Sequence, residues 1–511
     1  MSAGSPQTPP RAPGAASALG QAILEHRPSS ILAETSPLRG LRRGSVRTVD
    51  LVAQSVAAVA PAGVLLTSSG GLAAHAGSFA FIALALTACV VVLVALSISV
   101  FARRLSAAGG LYTFVTRGLG PVIGMLAGAA IALGYATVAI DTLRSGVRRL
   151  TTLFVPAATG GDRMPDLGVF ALILVCTIGL VGLIVCGARV STRIMLVIEI
   201  VAVAAILVIS VVVFASTGWD LEPLIPDPSS PPALSSFAAA AGVALVSFVG
   251  FESGAALGPE SRRPLASVPR ALVWTVVAVA IVYLFGVAAQ LSARADGSLG
   301  RTSSLLAEAA SLDAAWIGPA VDAVVAASWI ACTLACTNAL VRLVFTMARE
   351  RVLPEWLGRT SRRFSTPHRA AIAVGLILAG GTVVQTWAGG GSLLDEVIGL
   401  GTSVGFIVAY LIVCAAAVTY LVRVKEFSLR EAWPAMLGTL ALAALTATEI
   451  VGTEGRTRVA LLVIAAVLAA VVAGYALALR RGALPRARPG AYDTPVAADA
   501  LGAQGERPHG A

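Results

Sequence analysis

Ser247 to Leu272 reads SFVGFESGAALGPESRRPLASVPRAL, an apolar run broken by glycines and a carboxylate. The run begins near Phe237 with the composition of a membrane-crossing helix, yet it is cut after Val249 by Gly250, Glu252, Gly254 and Gly258. A backbone broken at membrane depth frees N–H and C=O groups that lipid cannot satisfy. Such breaks persist only where they are buried in protein or line a wet cavity. The break therefore marks a candidate binding site, and Glu252, an ionisable group inside a span, marks it a second time. The plain alternative is a helix that ends early and leaves Glu252 at the water interface.

Composition places the break in a bilayer. Of 511 residues, 57% are hydrophobic and only 13% charged, and the mean hydropathy is +0.85, which excludes a soluble globular protein of ordinary make-up. The net charge of +10 comes almost wholly from arginines scattered in short loops, with no basic stripe and no interleaved aromatics, so nucleic acid is not an expected partner. Cys89, Cys176, Cys186, Cys332, Cys336 and Cys414 all lie in apolar runs, where cysteine acts as a small hydrophobe; no disulfide framework or metal-ligand spacing is present.

Twelve apolar stretches near the roughly 20 residues a bilayer requires follow one another. They lie at about 51 to 71, 78 to 101, 121 to 140, 168 to 187, 194 to 216, 236 to 258, 271 to 292, 316 to 346, 370 to 388, 398 to 422, 432 to 448 and 457 to 479. Residues 1 to 46 and 481 to 511, rich in Pro, Ala, Gly and Arg, read as disordered tails. An even number of spans puts both tails on one side. With the tails inside, 29 of the 37 Lys and Arg fall on the cytoplasmic side, which predicts a multi-pass protein of the cytoplasmic membrane with both termini in the cytoplasm. Arg144, Arg148, Arg149 and Arg163, between spans three and four, run against that bias.

The first span is interrupted as well, at Ala60-Pro61-Ala62-Gly63. Proline removes an N–H and clashes with the preceding turn, so helix continuity fails there. Spans one and six are corresponding members of two five-span halves, and paired breaks of this kind point to the midplane site of an inverted-repeat transporter.

The residues also carry a family resemblance. The quoted stretch is similar to the sixth span of the amino acid-polyamine-organocation permeases, where a Phe-x-Gly-x-Glu-Ser core precedes a short Pro-rich loop. Ser106-Ala107-Ala108-Gly109-Gly110-Leu111-Tyr112 with Gly118-Leu119-Gly120-Pro121 resembles the family's loop between spans two and three. Thr337-Asn338-Ala339-Leu340-Val341-Arg342 with Met347 to Pro354 resembles the end of its eighth span, and Thr366-Pro367-His368-Arg369-Ala370 the start of its ninth. The likeness covers roughly residues 46 to 480.

The resemblance implies an all-α membrane transporter with a five-plus-five inverted-repeat core over residues 47–422, broken helices one and six, and two extra helices over 423–480. It implies a small-molecule substrate, an amino acid or amine, held by main-chain groups of the breaks. By family position Ala60, Pro61, Ala62 and Gly63 flank the substrate carboxylate, with amides near Ala62 and Gly63 as donors. Val246, Ser247, Phe248, Val249 and Gly250 flank the ammonium, with carbonyls near Val246 and Val249 as acceptors. A helix N-terminus suits an anion and a C-terminus a cation. Pro61 departs from the glycine-rich turn usual in the family and cannot donate.

Coupling falls on two carboxylates. Glu252 matches the Glu whose protonation alters the inward gate in proton-linked relatives; the alternative is an ion pair with Arg262 or Arg270. Some sodium-independent relatives carry a Lys in span five. The only lysine here is Lys425, in a loop, and Glu199 lies about one turn from the expected position. The alternative for Glu199 is a carboxylate snorkelling near Arg193. Thr333 and Thr337 would be sodium ligands, or hydroxyls bonded back to their own helix. No P-loop, HExxH pair or nucleophile motif is present, so no cofactor, metal or enzymatic chemistry is expected. An amino acid permease is the leading reading, ahead of a polyamine or organic cation carrier, a membrane-embedded enzyme and a solute sensor; the expected partners are the substrate, a proton and membrane lipid.

Overall fold

The computed structural model describes residues 40–67, 69–154, 166–229, 231–295, 317–361, 363–484 and 489–493, with Ser36 and Leu38. Most of both tails, with Arg163 and Arg362, lies outside the described residues. Fifteen α-helices are described. The first five are α1 (Thr48–Val59), α2 (Pro61–Thr67), α3 (Ser69–Ala76), α4 (Ala80–Ala102) and α5 (Leu111–Leu119). The next five are α6 (Pro121–Phe154), α7 (Asp166–Cys186), α8 (Ala188–Ser216), α9 (Leu234–Val246) and α10 (Pro264–Ala295). The last five are α11 (Ile317–Arg349), α12 (His368–Ala388), α13 (Leu393–Arg423), α14 (Leu429–Gly452) and α15 (Gly455–Arg480). A 3₁₀ segment, Phe251–Glu260, stands between α9 and α10.

Eleven spans among the described residues are long and apolar enough to cross a membrane. α14, bounded by Arg430-Glu431 and Glu449, occupies the place of the expected span at 432 to 448, the eleventh in chain order, and is not among them. The starts follow local chemistry. Pro121 and Pro264 open α6 and α10, where a missing N–H costs nothing. Ser392 and Ser428 accept from the amides of Asp395 and Glu431 to cap α13 and α14.

The outer helices show what surrounds the bundle. Leu174, Val175 and Ile178 on α7, Val197, Ile200 and Val201 on α8, and Leu462 and Val467 on α15 are exposed. Each would cost about 1.5–3 kcal/mol facing water. A belt of them is stable only in lipid. Inside, Phe406, Tyr410 and Phe251 form one buried aromatic group and Phe248 and Tyr283 another, with ring centroids 5.2 to 5.8 Å apart within each contacting pair. The 3₁₀ segment is tied at its far end to the start of the chain: Val46 pairs with Ser261, its amide donating to the Glu260 carbonyl (3.0 Å) and its carbonyl accepting from Arg262 (3.2 Å).

Candidate substrate and gating site

Two interrupted helices cross at the centre. α1 stops at Val59, Ala60 adopts a left-handed conformation (φ 51°), and Pro61 opens α2 at once. This interruption is one residue wide. The second is wider: α9 stops at Val246, Ser247 to Gly250 form a turn, and the chain continues as ten residues of 3₁₀ helix. That run is unusually long for 3₁₀ geometry, and it holds Gly254, Gly258 and Pro259, all poor in an α-helix.

The breaks meet backbone to backbone. Gly250 has φ 94°, open to glycine at no cost, and a Cβ there would fall 2.9 Å from both the Cβ and the carbonyl oxygen of Ala58. Alongside, the Gly254 amide donates to Ser55 Oγ (3.2 Å) and Ser253 Oγ to the Gln54 carbonyl (3.3 Å).

A cavity of about 900 Å³ lies on the crossing and opens at the end opposite the termini. Ala58, Val59, Val246, Ser247, Val249, Trp329 and Cys332 line its depth, and Asp141, Glu396 and Glu454 its upper wall. Of the residues singled out by sequence, Val246, Ser247 and Val249 reach this lining. The rest pack beside it. Ala60 and Ala62 are fully buried, Gly63 lies against the Trp329 ring, and Phe248 meets Tyr283 edge to face. Pro61 lines a separate apolar groove, and Gly250 is pressed on Ala58.

Glu252 sits just past the break, 1% exposed. Tyr135 on α6 donates to one carboxylate oxygen (2.6 Å) and Tyr410 on α13 to the other, while the Gly250 amide donates to the Tyr410 oxygen (3.3 Å). The ion pair of the alternative reading is not present among the described residues: Arg262 donates instead to the Gly44 carbonyl (3.3 Å). Glu252 thus clasps the 3₁₀ segment to two helices through neutral donors that compensate a buried carboxylate.

From there a polar chain runs to the end that bears the termini. Gln54 donates to the Ala335 carbonyl (2.8 Å) and accepts from Asn338 (2.9 Å). Arg342 donates to Asn338 and binds Glu260 through Nε (3.1 Å) and Nη2 (2.6 Å). Arg342 and Glu260 are each 2% exposed. Tyr112 on α5 donates to Glu350, just beyond α11 (2.6 Å), and burial pushes the Glu350 carboxyl up to about 7.

Glu199 does not snorkel. It is buried between α8 and α11, one oxygen accepting from Ser328 (3.3 Å) and the other without a partner among the described residues, and it borders the same groove as Pro61. Thr333 donates back to the Trp329 carbonyl (3.0 Å) and lies 2.9 Å from the Thr142 hydroxyl; the Thr337 hydroxyl has no partner among the described residues. Among the described residues no group of three or more His, Cys, Asp or Glu could hold a metal ion.

Sequence reasoning missed Tyr135, Tyr410, Gln54 and the Arg342–Glu260 pair. A signal existed for the last: Arg342 lies inside an apolar span, and a charge there needs a partner in the bundle.

The sequence is similar to those of known transporters. An uncharacterized transporter of Mycobacterium bovis is 28% identical over 308 residues, 60% of this chain and 66% of that protein's length. A branched-chain amino acid permease of Bacillus subtilis is 23% identical over 68% of this chain and 76% of its own. A vacuolar cationic amino acid transporter of Arabidopsis thaliana is 23% identical over 70% and 60%. The family described as Amino acid permease matches residues 50–392, more than half of the chain, and the chain belongs to that family.

Proposed function

We propose that this transporter moves amino acids or related amines across the cytoplasmic membrane by alternating access, with a proton as the coupling ion and the crossing of the two breaks as its substrate site. The observation that carries the reading is the contact of Gly250 with the Ala58 backbone at the floor of a cavity that opens away from the termini, with the Glu252 clasp directly beneath. The α9 terminus offers carbonyls of Val246 and Val249 to an ammonium. With the tails in the cytoplasm the cavity faces outward, and the two breaks occupy corresponding places in a five-plus-five inverted repeat, the helices after Arg423 being additions. A cysteine at Ser2 that an impermeant thiol reagent labels in intact cells would reverse that orientation.

One observation favours a cationic substrate within this reading. The described cavity lining holds Asp141, Glu396 and Glu454 and neither lysine nor arginine. Uptake of labelled substrate into proteoliposomes, with neutral amino acids, basic amino acids and polyamines as competitors, tests both levels. Saturable uptake inhibited most by the basic competitors is expected; absence of uptake for every class defeats the proposal.

A further inference from the structure

Past α15, the described residues Pro489–Asp493 (PGAYD) lie across the end of the bundle that carries the termini. Arg117 on α5 donates to the Gly490 carbonyl (2.8 Å) and stacks its guanidinium over the Tyr492 ring at 4.6 Å. The Ala491 amide donates to Glu350 Oε1, and the Asp493 amide to the Ser106 carbonyl (2.7 Å). On its other side the Asp493 carboxylate accepts from Ser36 Oγ (2.6 Å) and pairs with Arg43. Gly490 is fitted to its place: φ is 83°, and a Cβ would meet Thr116 Cγ2 at 2.9 Å.

The two sides of this contact differ in what they hold. Arg117, Ser106 and Glu350 belong to α5, the turn before it and the end of α11. Ser36 and Arg43 belong to the segment that Val46 ties to Glu260 and Arg262 at the end of the 3₁₀ helix. Opening this end by drawing the 3₁₀ segment away from α11 would break Arg342 from Glu260 and pull the two sides of the PGAYD contact apart. We propose that Pro489–Asp493 is an intramolecular strap that bridges the 3₁₀ segment and α11 and holds this end of the transporter closed, so that its release speeds the opening step. The inference rests on the alternating-access reading.

The test uses the full chain in lipid nanodiscs and two variants, Gly490→Val, which cannot take the strap's backbone shape without strain, and Asp493→Ala, which leaves the shape and removes the link to Ser36 and Arg43. Hydrogen exchange, which needs no transported substrate, reads the Ala491 and Asp493 amides and the 3₁₀ segment. Protected tail amides are expected in the wild type, with faster exchange in both the tail and Phe251–Glu260 in the variants. In proteoliposomes, uptake by the variants should rise by about fivefold, the order expected for losing one net hydrogen bond from a closed state. Unprotected tail amides in the wild type overturn the strap, and variants that free the tail while leaving exchange of the 3₁₀ segment unchanged overturn its hold on the gate. Failure of uptake with faster exchange in the variants would count against the transport reading and leave the strap standing.

Discussion

At the end away from the termini, α1, α9, α11 and α13 part around a cavity of about 900 Å³ whose upper wall carries carboxylates. At the other end the continuations of the same elements are joined by Glu252 to two tyrosines, by Arg342 to Glu260 and by Glu350 to Tyr112. The difference lies in where polar groups find partners. On the open side carboxylates border space that a substrate can fill; on the closed side buried acids are satisfied by tyrosine hydroxyls and, at Glu260, by Arg342. A closed end built from hydrogen bonds and a few ion pairs can be opened by breaking discrete contacts, whereas an apolar seal would have to separate over its whole area. The breaks at Ala60 and Gly250 sit at the boundary, where one backbone turn joins both regimes.

The largest effect should come from that boundary. Gly250→Leu places a side chain where the Ala58 carbonyl lies and where a left-handed backbone excludes it. Uptake should fall below detection while the protein still elutes as a single folded species in detergent. Near-normal uptake by this variant would remove the crossing from the transport pathway.

The closed end is attacked next. Arg342→Met strands a buried Glu260 without its partner, a loss of about 3–5 kcal/mol for pairs of this kind. Thermal melting should move down sharply, and the double variant Arg342→Met with Glu260→Leu should recover much of it, because two apolar side chains replace two charges. A single variant as stable as the wild type would show that the pair bears no weight in this state. If the double variant is stable yet slower in uptake, the pair serves the opening of that end rather than folding.

A smaller and more selective change is expected at the clasp. Glu252→Gln keeps the side-chain shape and fixes it as uncharged, so under the proton-coupling proposal the pH dependence of uptake between pH 5 and 8 should flatten while apparent substrate affinity changes little. Tyr410→Phe removes the hydroxyl that joins Glu252 to the Gly250 amide and should slow uptake without flattening the profile. Sodium-dependent uptake, or an unaltered pH profile in Glu252→Gln, would defeat the proton role.

How much of this was legible beforehand follows from what sequence encodes. The break after Val249, the interruption at Ala60-Pro61 and the carboxylate at Glu252 are properties of positions along the chain, and glycine, proline and charge announce them directly. Partners are a different matter. Glu252 meets Tyr135 and Tyr410, each more than a hundred residues away, and hydropathy periodicity carries no information about which helices are neighbours. The same limit explains why Pro61, which reads as a site residue, lines another groove: the one-residue break turns α2 directly into a new helix, and Trp329 covers Gly63 from across the bundle. The PGAYD strap was unreadable for an opposite reason, since its composition is that of the tail around it and only the surface it meets sets it apart.

The smallest effect concerns Glu350, which lies beyond the spans at the closed end. Glu350 is 2% exposed, and burial lifts its carboxyl from 4.5 to about 7 although Tyr112 and the backbone of Ala491 and Gly490 hydrogen-bond to it. Below about pH 4.5 the group is protonated in both folded and unfolded chains, and the advantage of keeping it neutral in the fold is fully present. As pH rises, the unfolded chain ionises first, and the folded chain must hold a proton against the solvent or ionise a buried group, so this contribution is lost as pH passes through 7. The wild type should therefore melt at a lower temperature at pH 8 than at pH 5, by a margin worth about 3 kcal/mol at most. Glu350→Gln, uncharged at both values, should lose that part of the difference while keeping a group of the same size against Tyr112. Equal pH dependence in the two proteins would mean that opening of the closed end, rather than burial, governs the ionisation of Glu350.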